Sequence, residues 1–293
     1  MQTTLLKRFC IALALLVLAP LSAYAQRDPP IERIRLESKL LGKAVDYSIL
    51  YPVNYRRAGN EEKRFSIIYL LHGLTGHHTN WIEKSGIALY ATRYDLFIVM
   101  VEGENGWYTD SATVPTDKFE SYILQELMPD VEKRFRVSTE REGRAIAGLS
   151  MGGYGSLKFA FKFPSRFALA ASMSGALGAA SWTDSELKNL EFIRQSLLKT
   201  FGPVGSATRA ENDLLKLTRE VSATAIKSLP VLYLDCGTED VLFPGNRSYA
   251  DLLVERKIPH EFRQLPGNHN WQYWDQQVRE ILNLAARNLA PPK

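Results

Sequence analysis

The sequence predicts an α/β protein built on a mostly parallel, doubly wound sheet with helices on both faces. Three features predict it. Short, continuous apolar runs recur along the chain, amphipathic stretches long enough for helices separate them, and Gly, Pro, Asn and Asp cluster at the joins. The 293 residues are 45% hydrophobic and 23% charged, enough to bury a substantial core without staples and unlike a disordered or collagenous chain. The net charge of +4 is spread without a basic block, which argues against nucleic acid as a partner.

The first 25 residues read differently from the rest. Lys7 and Arg8 precede an apolar stretch from Phe9 to Leu21, and Ala23-Tyr24-Ala25 supplies a small-x-small cleavage site. The apolar stretch falls short of the roughly 20 residues that span a bilayer. A cleavable signal peptide over residues 1–25 is therefore expected, with a secreted or periplasmic product and no stable membrane insertion. Its loss would remove Cys10 and lower the net charge from +4 to +2, leaving Cys236 without an internal disulfide partner.

Residues 26–293 read as one domain. Alternation at Ile34-Arg35-Leu36 and from Val45 to Tyr51 predicts two half-exposed antiparallel strands. Buried strands follow at Ser66 to Leu71, Leu96 to Val101, Arg144 to Leu149, Ala168 to Met173 and Val231 to Leu234, with a further strand at Glu261 to Leu265. Helical patterns fall at Asn80 to Thr92, Asp117 to Phe135, Met151 to Phe163, Asn246 to Arg256 and Trp271 to Asn288. Residues 181–228 break this rhythm with helical patterns at Ser185 to Phe201 and Glu211 to Leu217 and no strand. They are expected to form a helical insertion, either a cap over the site or surface decoration.

The residues richest in chemistry are Gly148-Leu149-Ser150-Met151-Gly152-Gly153. A buried strand precedes this G-x-S-x-G segment and a helix follows it, the setting in which a serine is exposed on a strained turn above the sheet. Glycines flank the serine because a Cβ there would strike the neighbouring strand or helix. A serine hydroxyl needs a base, itself oriented by an acid. In this chain order the acid follows a later strand and the histidine comes last.

His260 and His269 lie downstream of Ser150. His269 follows the last strand, whereas His260 precedes it at the opposite edge of the sheet, so position selects His269 as base. Asp240, beyond the turn at Gly237, is the expected acid, with Asp235 the alternative and Glu239 read as a solvated face. The Met151 amide at the helix N-terminus and the Leu74 amide after His72-Gly73 are the expected oxyanion donors. His72, His77 and His78 do not fall in a metal-binding spacing, so neither metal nor cofactor is expected.

Taken together, His72 to Gly76, Gly106 to Ser111, Glu126-Leu127-Met128-Pro129, Gly148 to Gly153, Asp235 to Asp240 and Gly267 to Trp271 resemble the esterase D family of α/β-hydrolases. That family also holds tributyrin, feruloyl and acetyl-xylan esterases, S-formylglutathione hydrolases and mycolyltransferases. The resemblance runs from about residue 31 to residue 288. It implies the same assignment: Ser150 nucleophile, Asp240 acid, His269 base, Leu74 and Met151 amides as oxyanion hole. Leu149 stands where S-formylglutathione hydrolases usually carry histidine, and Asn268 replaces a glycine often found before the histidine.

The expected function is a secreted serine carboxylesterase acting on short-chain, carbohydrate-linked or phenolic esters. A mycolyltransferase-type acyltransferase and an S-formylglutathione hydrolase-like thioesterase share the same residues. A non-catalytic binding module on this fold is the rival of a different class. Trp107, Tyr108 and Trp271 are candidate substrate contacts, with Tyr273 and Trp274 nearby; the same aromatics could instead anchor loops and core.

Overall fold

A computed structural model describes residues 31–293; the expected signal peptide lies outside the described residues. The chain opens with a hairpin, β1 (Ile31–Ser38) and β2 (Lys43–Leu50), and continues through β3 (Ser66–Leu71) to two short helices, α1 (Asn80–Lys84) and α2 (Ile87–Ala91). The single helix expected over 80–92 is interrupted at Gly86, whose amide donates to Asp275 (2.7 Å). β4 (Leu96–Val101) follows.

Next come α3 (Phe119–Tyr122), a π-helical turn at Ile123–Leu127, and α4 (Met128–Arg134). The π turn sits just before Pro129, which has no N–H to continue a regular α ladder. β5 (Arg144–Leu149) leads directly into α5 (Met151–Lys162), and β6 (Leu169–Met173) lies next to it.

Residues 181–228 hold four short helices and no strand: α6 (Glu191–Phe201), α7 (Ala207–Asn212), α8 (Leu214–Glu220) and α9 (Ala223–Ile226). The helix expected from Ser185 starts only at Glu191. The one expected over Glu211 to Leu217 is split at Asp213, whose carboxylate accepts from the Leu215 and Lys216 amides and so caps α8 instead of continuing α7. β7 (Val231–Gly237), α10 (Phe243–Glu255), β8 (Glu261–Leu265) and α11 (Trp271–Asn288) complete the fold. α10 begins three residues earlier than expected, with Pro244 in its first turn, where its missing N–H costs nothing.

The eight strands lie in the order β1-β2-β4-β3-β5-β6-β7-β8. The β1–β2 and β2–β4 pairs are antiparallel and all later pairs parallel. This is the α/β-hydrolase architecture that the sequence predicts. Alternate residues of the central strands feed two cores. Ile67, Tyr69 and Leu71 of β3 pack with Leu157 and Val131 on one face, while Ile68 and Leu70 pack with Trp81, Val278 and Ile281 on the other. Burial on both faces explains the unbroken apolar runs, each large aliphatic contributing about 1.5–3 kcal/mol. Strand order reverses direction at β3, so the loops after β3 and β5 open side by side at the carboxyl edge, where a crevice forms.

Candidate active site

Ser150 occupies the turn between β5 and α5 with φ 53° and ψ −115°, a left-handed backbone that costs a non-glycine residue on the order of 1–3 kcal/mol. The surrounding backbone holds it there. The Ser150 amide donates to the Met173 carbonyl (2.9 Å), and the Ser150 carbonyl accepts from the Tyr154 and Ala176 amides (3.0 Å each). The turn is tight enough that a Cβ at Gly148 would lie 2.5 Å from the Gly152 carbonyl, and one at Gly152 would lie 2.7 Å from the His72 and Leu71 carbonyls. Both contacts are with backbone that cannot step aside, which accounts for the glycines on either side of the serine.

His269 stands in the loop between β8 and α11. Its Nε2 lies 3.0 Å from Ser150 Oγ, and its Nδ1 lies 2.8 Å from Asp240 Oδ2. Nδ1–H donates to the carboxylate, so Nε2 is left to accept from the serine hydroxyl. The edge of Trp274 meets the imidazole at a centroid separation of 4.9 Å, holding the ring plane. Burial opposes ionisation of Asp240, but hydrogen bonds from His269 and the Leu242 amide (2.7 Å) outweigh it and hold the carboxyl below its usual value.

Asp235, the alternative acid, does not reach the histidine. Its side chain is fully enclosed, with the Tyr233 and Tyr273 hydroxyls nearby but no regular hydrogen bond to either oxygen. Burial pushes its carboxyl up to about 8, so it is neutral at pH 7.

Glu239, read from sequence as a solvated face, is exposed yet ties the two loops together. Its carboxylate accepts from the Gly267 amide, and its own amide donates to the Gly267 carbonyl (3.0 Å). The Gly267 amide, with the Thr238 hydroxyl, lowers its carboxyl, and the pair of bonds to Gly267 fixes the strand end bearing Asp240 against the loop bearing His269. Nothing in the local sequence distinguishes this carboxylate from a surface one; its partner is remote in the chain.

The Leu74 amide follows the end of β3, in a turn closed by the Gly76 amide on the Gly73 carbonyl (3.0 Å) and by the Thr75 amide on Asn105 (2.7 Å). Met151 is the first residue of α5, where an amide has no acceptor within its helix. Among the described residues, neither amide donates to the protein. His72 is fully buried: Nδ1–H donates to the Gly73 carbonyl (2.7 Å), and Nε2 accepts from the Gly103 amide (3.0 Å). His78 pairs with Ser48 (2.8 Å) and His77 with Thr79 (2.7 Å). No group of three or more potential metal ligands is clustered among the described residues.

A cleft of about 340 Å³ opens over Ser150 and His269. Trp107 and Trp271 line it, as the sequence suggests, joined by Trp274. Tyr108 does not. It points into the core, with its ring against Gly103 and Gly155 and its hydroxyl donating to the His72 carbonyl (2.8 Å). Two lining residues missed by the sequence reading, Trp182 and Ile193, come from the 181–228 segment, which thus supplies a wall of the cleft. The Trp107 indole N–H donates to Ser196 on α6 (3.1 Å) and binds the two walls together.

A family model described as "Putative esterase" matches residues 38–284. An acetyl esterase of Caldicellulosiruptor saccharolyticus is 25% identical over 254 residues, covering 85% of this chain and 95% of that protein. An esterase of Mycobacterium tuberculosis is 28% identical over 265 residues; the match takes in 83% of this chain but only 56% of the longer relative. Among solved structures, the fluorophosphonate-binding serine hydrolase F of Staphylococcus aureus superposes with a TM-score of 0.78 at 27% identity, covering 88% of this chain and 98% of that one.

Proposed function

The chain belongs to this esterase family, and on that premise we propose that it hydrolyses carboxylic esters through an acyl-enzyme on Ser150. The observation that carries the reading is the relay from Ser150 Oγ to His269 (3.0 Å) and on to Asp240 (2.8 Å), set at the floor of a cleft. His269 takes the hydroxyl proton as Oγ attacks the ester carbonyl. The tetrahedral oxyanion is held by the Leu74 and Met151 amides, the second assisted by the α5 dipole. Collapse expels the alcohol, protonated by His269. Water, deprotonated by the same histidine, then releases the acid and restores the hydroxyl. Asp240, kept ionised, steadies the imidazolium in both halves.

The four indoles of Trp107, Trp182, Trp271 and Trp274 favour small acyl groups, or esters joined to sugar or phenolic rings that can stack on them. With the export signal expected at residues 1–25, the enzyme would meet such esters outside the cytoplasm. In the test, wild-type protein turns over p-nitrophenyl acetate and is labelled by a fluorophosphonate probe. Ser150→Ala should lose both, with turnover down by about 10⁶, while its circular dichroism and melting stay those of a folded protein. Persistent turnover or labelling in the variant would overturn the reading.

A further inference from the structure

Lys158 lies on α5, the helix that Ser150 begins, and its side chain is fully buried. A buried ammonium is costly unless every proton finds a partner. Here Nζ donates to the Tyr108 carbonyl (2.6 Å) and the Thr109 hydroxyl (2.8 Å), and lies 2.7 Å from Glu120 Oε2. Burial lowers the amine to about 8, with Glu120 working against that shift. The proposed reaction uses none of these atoms.

Charge neutralisation does not explain the residue. Glu120 already holds Lys162 at 2.6 and 2.9 Å, so it would remain paired without Lys158. What Lys158 supplies to the loop after β4 is a set of donors to the Tyr108–Thr109 backbone and hydroxyl. That loop needs them: Trp107 (φ 52°) and Tyr108 (φ 53°) are consecutive non-glycine residues in left-handed conformation, a strained pair that persists only if the surroundings enforce it. The Tyr108 hydroxyl in turn donates to the carbonyl of His72, two residues before Leu74.

We propose that Lys158 is a positioning residue for the oxyanion donor. It clamps the strained Tyr108 turn, the Tyr108 hydroxyl clamps the His72 carbonyl, and the Leu74 amide is thereby held where negative charge develops. This rests on the Ser150 acyl-enzyme reading. Losing one oxyanion donor outright costs about 10²–10³ in kcat, so loosening one should cost about tenfold or more.

The test is a double-mutant cycle of Lys158→Met, Tyr108→Phe and the double variant. Each is assayed with p-nitrophenyl acetate, and kcat is expressed per serine titrated to completion with a fluorophosphonate. A role confined to folding would lower the titratable fraction and leave kcat per site unchanged. We expect each single variant to lose about tenfold or more in kcat per site with KM within about threefold. Because the two act in series, the double should lose no more than about threefold beyond the worse single. Wild-type kcat in either single variant, or losses that multiply in the double, would overturn the proposal. If Lys158→Met yields no folded protein, Tyr108→Phe decides: unchanged kcat rejects the relay. Wild-type protein that neither labels nor turns over ester would instead break the Ser150 reading itself, so the two failures are distinguishable.

Discussion

The two walls of the cleft are built on different principles. On one side, Ser150, Leu74 and Met151 are placed by backbone: a left-handed serine, a closed turn, and glycines at which an added Cβ would lie within 2.7 Å of carbonyl groups. On the other, Trp182 and Ile193 hang from the helical segment between β6 and β7 and meet the first wall through side chains, notably the Trp107–Ser196 bond. A backbone-defined wall leaves no room for an added atom. A side-chain wall can change shape without moving the reacting groups. Chemistry and selectivity should therefore be separable by mutation.

Three outcomes would sharpen or break that distinction. The largest belongs to the reacting groups themselves: Asp240→Asn should lower kcat by about 10⁴, because the amide no longer holds His269 in the required tautomer. The loss should be equal for p-nitrophenyl acetate, butyrate and ferulate, since the defect precedes any acyl contact. On the opposite wall, Trp182→Ala should leave p-nitrophenyl acetate turnover within about threefold. It should reduce kcat/KM for the bulkier esters by about 10- to 200-fold, the 1–3 kcal/mol of a hydrophobic contact. Equal losses on all three esters would abolish the separation.

The smallest effect lies beneath the site. Asp235 is raised from 3.8 to about 8 in the folded protein, so the unfolded chain ionises first as pH rises. Its contribution to stability is full below about pH 4 and is lost progressively up to pH 8. Asp235→Asn cannot ionise. Its melting temperature relative to wild type should therefore rise between pH 5 and pH 8, by at least about 2 °C. A pH-independent difference would show that Asp235 is not neutral in the fold.

Much of the first wall is legible in the amino-acid sequence, because steric necessity leaves marks there. Buried strands are continuous apolar runs, and Gly148 and Gly152 announce the tight turn around Ser150. The choice between Asp240 and Asp235 is less legible. Asp235 lies within β7 and Asp240 just beyond its end, and only the folded chain encloses the first carboxyl in the core while the turn after Gly237 brings the second to His269. The second wall is legible only as a break in the strand rhythm over 181–228, read as a cap or as surface decoration, and its contacts, like several elsewhere, leave almost no trace. Trp182, the Glu239 clamp, the inward turn of Tyr108 and the buried Lys158 all depend on partners distant in the chain, and a residue's neighbours in sequence do not report them.

The sheet's two outer strands carry a consequence of their own. Among the described residues, β1 and β8 each present one rim without a neighbouring strand, and such rims are templates on which another chain can add a strand. β1 carries Glu32, Arg33, Arg35 and Glu37, all exposed, and β8 carries Glu261 and Arg263, paired with each other at 2.6 Å. An incoming strand would have to strip water from these charges before forming its first hydrogen bond. The charged margins thus act as a guard against edge-to-edge aggregation, leaving the interior strands free to be as hydrophobic as the core requires.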